Sequence, residues 1–392
     1  MISRRVFLMQ AAAVSRSTKV KITSVKAVPI RLLPTSRFGV SKFKGDHDPA
    51  RNRWFGPFSQ LSGSILVEIK TDQGVTGYGL GGGGGAACYI IENHLKDLLI
   101  GANPLNVELL WDQMFASTSF YGRKGVVIMA MSGIDLALWD LAGKHAGLPA
   151  HRLMGGPVKD KVLAYFTGKN LELGLKLGFK AFKWPMDIGP EDGDGAIAKI
   201  VEVLKLARET VGPDALLMID CLCRWTVPFT LEAAEAIADA GVGLHFIEEP
   251  ILPDDLAGYE KLCRDVAGTK IACGEHEYSH YGFELLLRQE AAHLLQPDLT
   301  WSGGLTTGRR VATLASARKV PVIPHRGGSV YGMQLIIASD NCPMAESFGT
   351  GEPGNEMMGL FTSPFEKGYY RAPEGPGMGI EIPKEVLNKN GL

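Results

Sequence analysis

The sequence predicts an α/β protein: a modified TIM barrel, (β/α)7β, carrying an N-terminal α+β capping domain. Six short apolar runs between residues 216 and 346 each end in, or just before, an acid or a histidine: Asp220, Glu248, Glu275, Asp298, His325 and Glu346. Helix-length amphipathic segments separate these runs. Alternating strand and helix, with chemistry at the strands' carboxyl ends, is the pattern of a barrel whose site lies on its C-terminal face. Successive endings lie about 21–28 residues apart, a little under the ~31 per unit of a ~250-residue barrel, so the units are lean and their loops short.

At 392 residues the chain is too long for one ordinary core. We divide it into a tail (residues 1–18), a cap with lid loops (19–150), the barrel (151–348) and a Gly- and Pro-rich segment (349–392) that packs back on the cap. From Lys19, VKITSVKAVPIRLLP alternates like a strand. SGSILVEIKTDQGVTGYGLG reads as two strands about the turn Asp72-Gln73-Gly74. The glycine run 81–85 has no following Lys-Ser/Thr, so it reads as a turn into a helix rather than a phosphate cradle. Helical spacing then runs through 90–99, 105–115 and 125–145, the last stopped by Gly147-Leu148-Pro149. The barrel opens with VLAYF (162–166) and KAFKW (180–184), followed by a helix with the stripe Ile197, Ile200, Val201, Leu204 and Ala207. In the last segment, 379–382 reads as a short strand.

The formal net charge is −1, which gives no electrostatic reason to capture nucleic acid or a membrane surface. No apolar run in the sequence approaches the ~20 residues that span a bilayer. The six cysteines lack a CxxC pair and read as reduced thiols of a cytoplasmic enzyme. Ser3-Arg4-Arg5-Val6-Phe7-Leu8 looks like a twin-arginine export signal, but the apolar run after it is short. The expectation is cytoplasmic, with a periplasmic location as the alternative.

Asp220, Glu248 and Glu275 end strands three, four and five. Neighbouring strands lie about 4.8 Å apart, so the three carboxylates converge and repel unless a cation joins them. An all-oxygen set with room for water suits Mg²⁺; the alternative turns one acid outward toward an arginine such as Arg224. His325, beside Asp298 on the next strand end, reads as a base whose tautomer the acid fixes. His276 is either a second acid or a support behind the site. Glu346, with no evident cationic partner, is expected to have a raised pKa and to donate to a developing oxyanion. Lys183 supplies a fixed positive charge, and two residues on stands Pro185, leaving a base on one face only. Metal and lysine would clamp a carboxylate, His325 would remove the adjacent proton, and the enediolate would be held by metal and Glu346. A protonated His325 then expels a β-hydroxyl as water. The deduced reaction converts a 2,3-dihydroxy acid to its 2-keto-3-deoxy acid; the alternatives are an epimerase or cycloisomerase, which the single base disfavours, or a non-catalytic sugar-acid binder, which would not need a base.

At these residues the chain resembles the enolase superfamily, mandelate racemase subgroup, over about 20–390. The resemblance lies in SGIDLALWDLAGKHAGLP, in IDC, FIEEP and GEH at strands three to five, and in the Asp298/His325 pair. Lys183-Trp184-Pro185, GPEDGDG, QPDLTWSGGLTT and PHRGGSVYG look more narrowly like the rhamnonate dehydratases. The resemblance implies Mg²⁺ on Asp220, Glu248 and Glu275, His325 with Asp298 as base and then acid, and Glu346 as electrophilic partner. It also implies an acid-sugar substrate such as L-rhamnonate and a homo-oligomer, often an octamer. A lid at 45–56, with His47, Arg51, Arg53 and Trp54, would read the distal end of the sugar; its arginines are either substrate contacts or a solvated face. The sequence departs from that pattern at Glu277, where a second histidine is common.

Overall fold

The computed structural model describes residues 19–32, 63–352 and 356–392. The twin-arginine-like tail and the lid residues His47, Arg51, Arg53 and Trp54 lie outside the described residues.

The cap begins with an antiparallel sheet in the order β1 (Ile22–Ile30), β2 (Ser64–Thr71), β3 (Thr76–Gly81). The β2–β3 turn falls at Asp72-Gln73-Gly74 as the sequence indicated, with Gly74 left-handed at φ 74. Helices α1 (Gly84–Ile90), α2 (Val107–Thr118) and α3 (Val126–Ala146) cover the sheet. A Cβ on Gly77 or Gly79 would stand 2.1 Å from the carbonyl oxygen of Ala137 or 2.2 Å from that of Gly133. Strand β3 therefore uses glycine so that α3 can lie directly on its backbone. Helix α3 is buried on nearly every side, and most of its residues are apolar. It is long and apolar enough to cross a membrane, but nearly all of it is buried inside the protein.

The barrel staves are β4 (Val162–Thr167), β5 (Ala181–Pro185), β6 (Leu216–Asp220), β7 (Phe246–Glu248), β8 (Lys270–Cys273), β9 (Leu294–Leu295) and β10 (Met344–Glu346). Between β9 and β10 the seventh stave is reduced to one parallel bridge, Leu295 to Val322. Staves β4 to β9 run parallel in order, and β10 pairs parallel with β4, closing the ring. Helices α4 (Leu171–Leu177), α5 (Ala196–Val211), α6 (Val227–Asp239), α7 (Leu256–Asp265), α8 (Ser279–Arg288), α9 (Gly304–Ser316) and α10 (Val330–Ala338) form the outer layer. On α5 the predicted stripe faces inward, with Ile200, Leu204 and Ala207 buried and Ile197 and Val201 packed beside them. Tyr165, Ala181, Met218, Phe246, Ala272, Leu294, Ile323 and Met344 fill the interior, so the barrel is a packed core below its mouth.

Buried polar contacts hold cap to barrel. Asp135 on α3 accepts from the Thr306 N–H at 3.0 Å and from its hydroxyl at 2.5 Å, and Trp111 donates to the Gly303 carbonyl at 2.8 Å. The C-terminal segment departs from expectation. Residues 379–382 form no strand; a hairpin of β11 (Phe365–Glu366) and β12 (Tyr369–Tyr370) instead extends the barrel sheet by pairing with β4. On either side of it the chain joins the cap core, through Met358 and Phe361 before it and Met378 and Ile380 after it, and the Met378 N–H donates to Asp140 at 2.8 Å.

Candidate active site

Parallel pairing places Asp220 and Glu248 opposite each other as the last residues of β6 and β7, and Glu275 follows two residues after β8. All three are buried, and one carboxylate oxygen from each lies within 4.8 Å of the others. Burial lifts the Asp220 carboxyl to about 7, with Glu275 and Glu249 adding to the rise against Lys183. Glu248 is likewise pushed well above the carboxylate range by burial. Three crowded acids with an all-oxygen donor set fit a hard divalent cation such as Mg²⁺, whose charge removes this penalty. The outward-facing alternative is not adopted: Arg224 pairs instead with Glu191 and donates to the Asp187 carbonyl at 2.7 Å.

His325 accompanies this cluster at the end of the seventh stave. Its Nδ1 is 2.7 Å from Asp298 Oδ2, and its Nε2 faces Glu275 at 3.5 Å and Glu346 at 3.9 Å. Asp298 is fixed through its other oxygen by the Thr300 N–H and hydroxyl, both at 2.6 Å. Burial pushes the imidazole down, but Glu275, Glu346 and Asp298 together hold it above its usual range. This pair has the geometry of an oriented base.

Two expectations are corrected. Glu346 does have a cationic partner: Lys183 Nζ lies 2.9 Å away, the Thr167 hydroxyl donates to it at 2.6 Å and the Arg326 N–H at 2.8 Å. Against the upward push of burial, Lys183 and His325 bring Glu346 down to about 2. It is ionised and only accepts, so it has no proton to offer an oxyanion. Lys183 in turn is not a free clamp for a substrate carboxylate. Its buried Nζ is held by Glu248 at 2.5 Å and Glu346 at 2.9 Å, with Asp220 at 3.8 Å. Burial alone would lower it, but these acids hold it charged, well above 10.5. It is the counter-ion beneath the acids.

His276 projects beside the cluster as one member of a second histidine–carboxylate pair, its Nδ1 2.7 Å from Glu249 Oε2. Both imidazoles pack on Trp301, with centroids 5.8 Å (His276) and 5.1 Å (His325) from the indole, so they share one side of the site. Cys223 joins Glu249 and His276 within 4.8 Å, but its thiol is spent on Glu249 at 3.1 Å. Glu277, the departure in the sequence, points away from the site and bridges to Lys124 of the cap at 3.1 Å.

Several contributors escaped the sequence reading. Gln296 donates to Glu248 at 2.5 Å; as the residue two before Asp298 it shares that side of the chain, a signal that was there to use. Glu249 follows a candidate ligand directly in FIEEP. Trp301 and Arg326 lie within the motifs QPDLTWSGGLTT and PHRGGSVYG but were not singled out there, and nothing local in the sequence marks Thr167 as part of the site.

Comparison with known proteins finds a family and several relatives over most of the chain. Residues 59–155 match the family described as mandelate racemase / muconate lactonizing enzyme, N-terminal domain, and residues 170–386 match the enolase C-terminal domain-like family. A Caldivirga maquilingensis protein, provisionally named L-rhamnonate dehydratase, is 40% identical over 331 residues, which is 83% of this chain and 82% of the relative. The crystal structure of L-rhamnonate dehydratase from Gibberella zeae superposes with a TM-score of 0.83 at 34% identity, covering 96% of this chain and 97% of that one. The Gibberella zeae enzyme has also been solved complexed with Mg. The 3,6-anhydro-D-galactonate cycloisomerase of Zobellia galactanivorans is similar too, with a TM-score of 0.76, 27% identity and 94% and 99% coverage.

Proposed function

Because this chain belongs to the enolase superfamily, in its mandelate racemase and muconate lactonizing enzyme family, we propose that it is a Mg²⁺-dependent hydro-lyase. Its substrate on this reading is an acid sugar, L-rhamnonate or a related six-carbon aldonate, and its product the 2-keto-3-deoxy acid. Asp220, Glu248 and Glu275 hold the ion, which when bound supplies Lewis-acid polarisation of the substrate carboxylate. His325 Nε2 takes the proton from C2, and Asp298 at Nδ1 supports the imidazolium that results. The charged ring is further held by Glu346, whose carboxylate stays ionised. The same Nε2 returns its proton to the C3 hydroxyl, which leaves as water, and the enol tautomerises to the keto acid.

One observation carries the choice of elimination over epimerisation. Both imidazoles lie on the Trp301 side, whereas the β5 side offers only Lys183, locked by carboxylates, and Pro185. Among the described residues, a proton taken from one face has no second base to replace it from the other. The substrate assignment is supported by the 40% and 34% identities to proteins named for L-rhamnonate. The test is an aldonate library assayed in D₂O for 2-keto acid with semicarbazide. Keto acid from L-rhamnonate or a close stereoisomer is the expected result. Deuterium-labelled epimer or a cyclised product, with no keto acid, would replace this reading with the epimerase or cycloisomerase alternative.

A further inference from the structure

Arg326 follows the histidine of the dyad directly and leads into Gly327-Gly328. Its φ is +55, the left-handed region where a Cβ is strained and glycine is not. Its N–H is pinned to Glu346 at 2.8 Å, so the backbone is fixed at the floor of the site. The guanidinium carbon lies 4.8 Å from the centroid of Trp301, the same indole that packs on His325 and His276. Trp301 is buried, and its Cδ1–Nε1 edge abuts Gly82 in the glycine run of the cap. The half-buried guanidinium is therefore set on the wall that leads from the dyad up to the cap. Among the described residues no carboxylate lies within ion-pairing distance of it, whereas Lys183, Lys124 and Arg224 are all taken by acids. A stacked guanidinium keeps its edge donors in a fixed fork, directed at oxygen acceptors in the plane of the group.

We propose that Arg326 is a specificity-determining residue: stacked on Trp301 between the dyad and the cap, it donates hydrogen bonds to oxygens on the acid-sugar carbons beyond the reacting pair. This rests on the reading of the site as one for acid sugars. The strained backbone position is the cost of placing a rigid donor there. The acceptors are hydroxyls of an aldonate chain or, in a diacid, the second carboxylate, and one experiment separates the two.

That experiment measures binding, so that it stands apart from turnover. The Mg²⁺-loaded His325→Asn protein is titrated calorimetrically with a six-carbon aldonate, the matching aldarate and the three-carbon glycerate, with and without Arg326→Gly. Glycine suits the left-handed backbone, so this variant should fold, and its melting temperature checks that. Losing charged hydrogen bonds weakens the long acids about ten- to hundred-fold more than glycerate. A larger loss for the aldarate identifies a distal carboxylate, and a larger loss for the aldonate identifies hydroxyls. Arg326→Lys, which keeps charge without the fork, recovers only part of the loss. Equal weakening of long and short acids, or none for the long ones, overturns the proposal. Absence of any keto acid from the His325 parent would sink the dehydratase reading while leaving the chain-length comparison to be judged by itself.

Discussion

Lys183→Met removes one buried positive charge while keeping most of the side-chain volume, and its consequences can be worked out from two distances. At an effective dielectric constant of ~20, an ammonium 2.9 Å from the ionised Glu346 is attracted by roughly 6 kcal/mol, and its 2.5 Å contact with Glu248 adds a further buried polar contact. Desolvation offsets most of this, and breaking a buried pair by removing one partner typically costs about 3–5 kcal/mol. The variant in EDTA should therefore unfold in urea with a free energy lower by about that amount. The deficit should depend on pH. Glu346 is depressed from 4.5 to about 2, so its contribution is present above 4.5 and is lost as pH falls through 2. The deficit of the variant is then largest near neutrality and shrinks in acid. Mg²⁺ should stabilise the variant more than the parent, because the ion meets acids that no longer have the lysine as partner. A variant within about 0.5 kcal/mol of the parent in EDTA, the range of ordinary surface changes, with an unchanged Mg²⁺ response, would refute the assignment of Lys183 as counter-ion.

Two more outcomes are expected. His325→Asn should cut turnover by at least the ~10²–10⁴ of a general base, while Mg²⁺ affinity, measured by calorimetry, stays within a few-fold; full activity would discard the mechanism. Burial raises Asp135 at the cap–barrel contact from 3.8 to about 7. Such a group contributes stability that is full below 3.8 and lost as pH rises through 7, on the order of 4 kcal/mol for that shift. Asp135→Asn should flatten that slope in melting temperature against pH, whatever it does to the absolute value, and an unaltered slope would exclude Asp135 as its source.

Much of the site was legible because a parallel barrel turns one-dimensional spacing into a ring. Asp220, Glu248 and Glu275 each fall at or just past the end of a stave, and neighbouring staves bring their oxygens within 4.8 Å. The Asp298–His325 pair follows from the same rule applied two staves further on. What the rule does not supply is conformation outside the strands. Trp301 and Arg326 sit in turns, and Arg326 owes its place to a left-handed backbone that an arginine rarely adopts. Residues 379–382 carry strand-like alternation, yet the short hairpin at 365–370 took the open edge of β4 instead. A two-residue strand leaves no periodicity to read.

Both misread charges, Glu346 and Lys183, have one cause. Along the chain, Glu346 belongs to the last stave, facing an acidic cluster with no cation near it in sequence. Closure makes β10 the neighbour of β4, so Glu346 meets Thr167, 179 residues away in sequence, and Lys183 one stave further. Had closure been imposed on the sequence, the order of staves would have put a lysine between the acids of β7 and β10, and the cationic partner of Glu346 would have followed: Lys183 contacts both Glu248 and Glu346. The carboxylate that looked like a proton donor is thereby an anion at neutral pH. On the proposed mechanism the proton chemistry then falls to the imidazoles on the Trp301 side, and it is this one-sided placement on which the proposal of elimination rather than exchange between two faces rests.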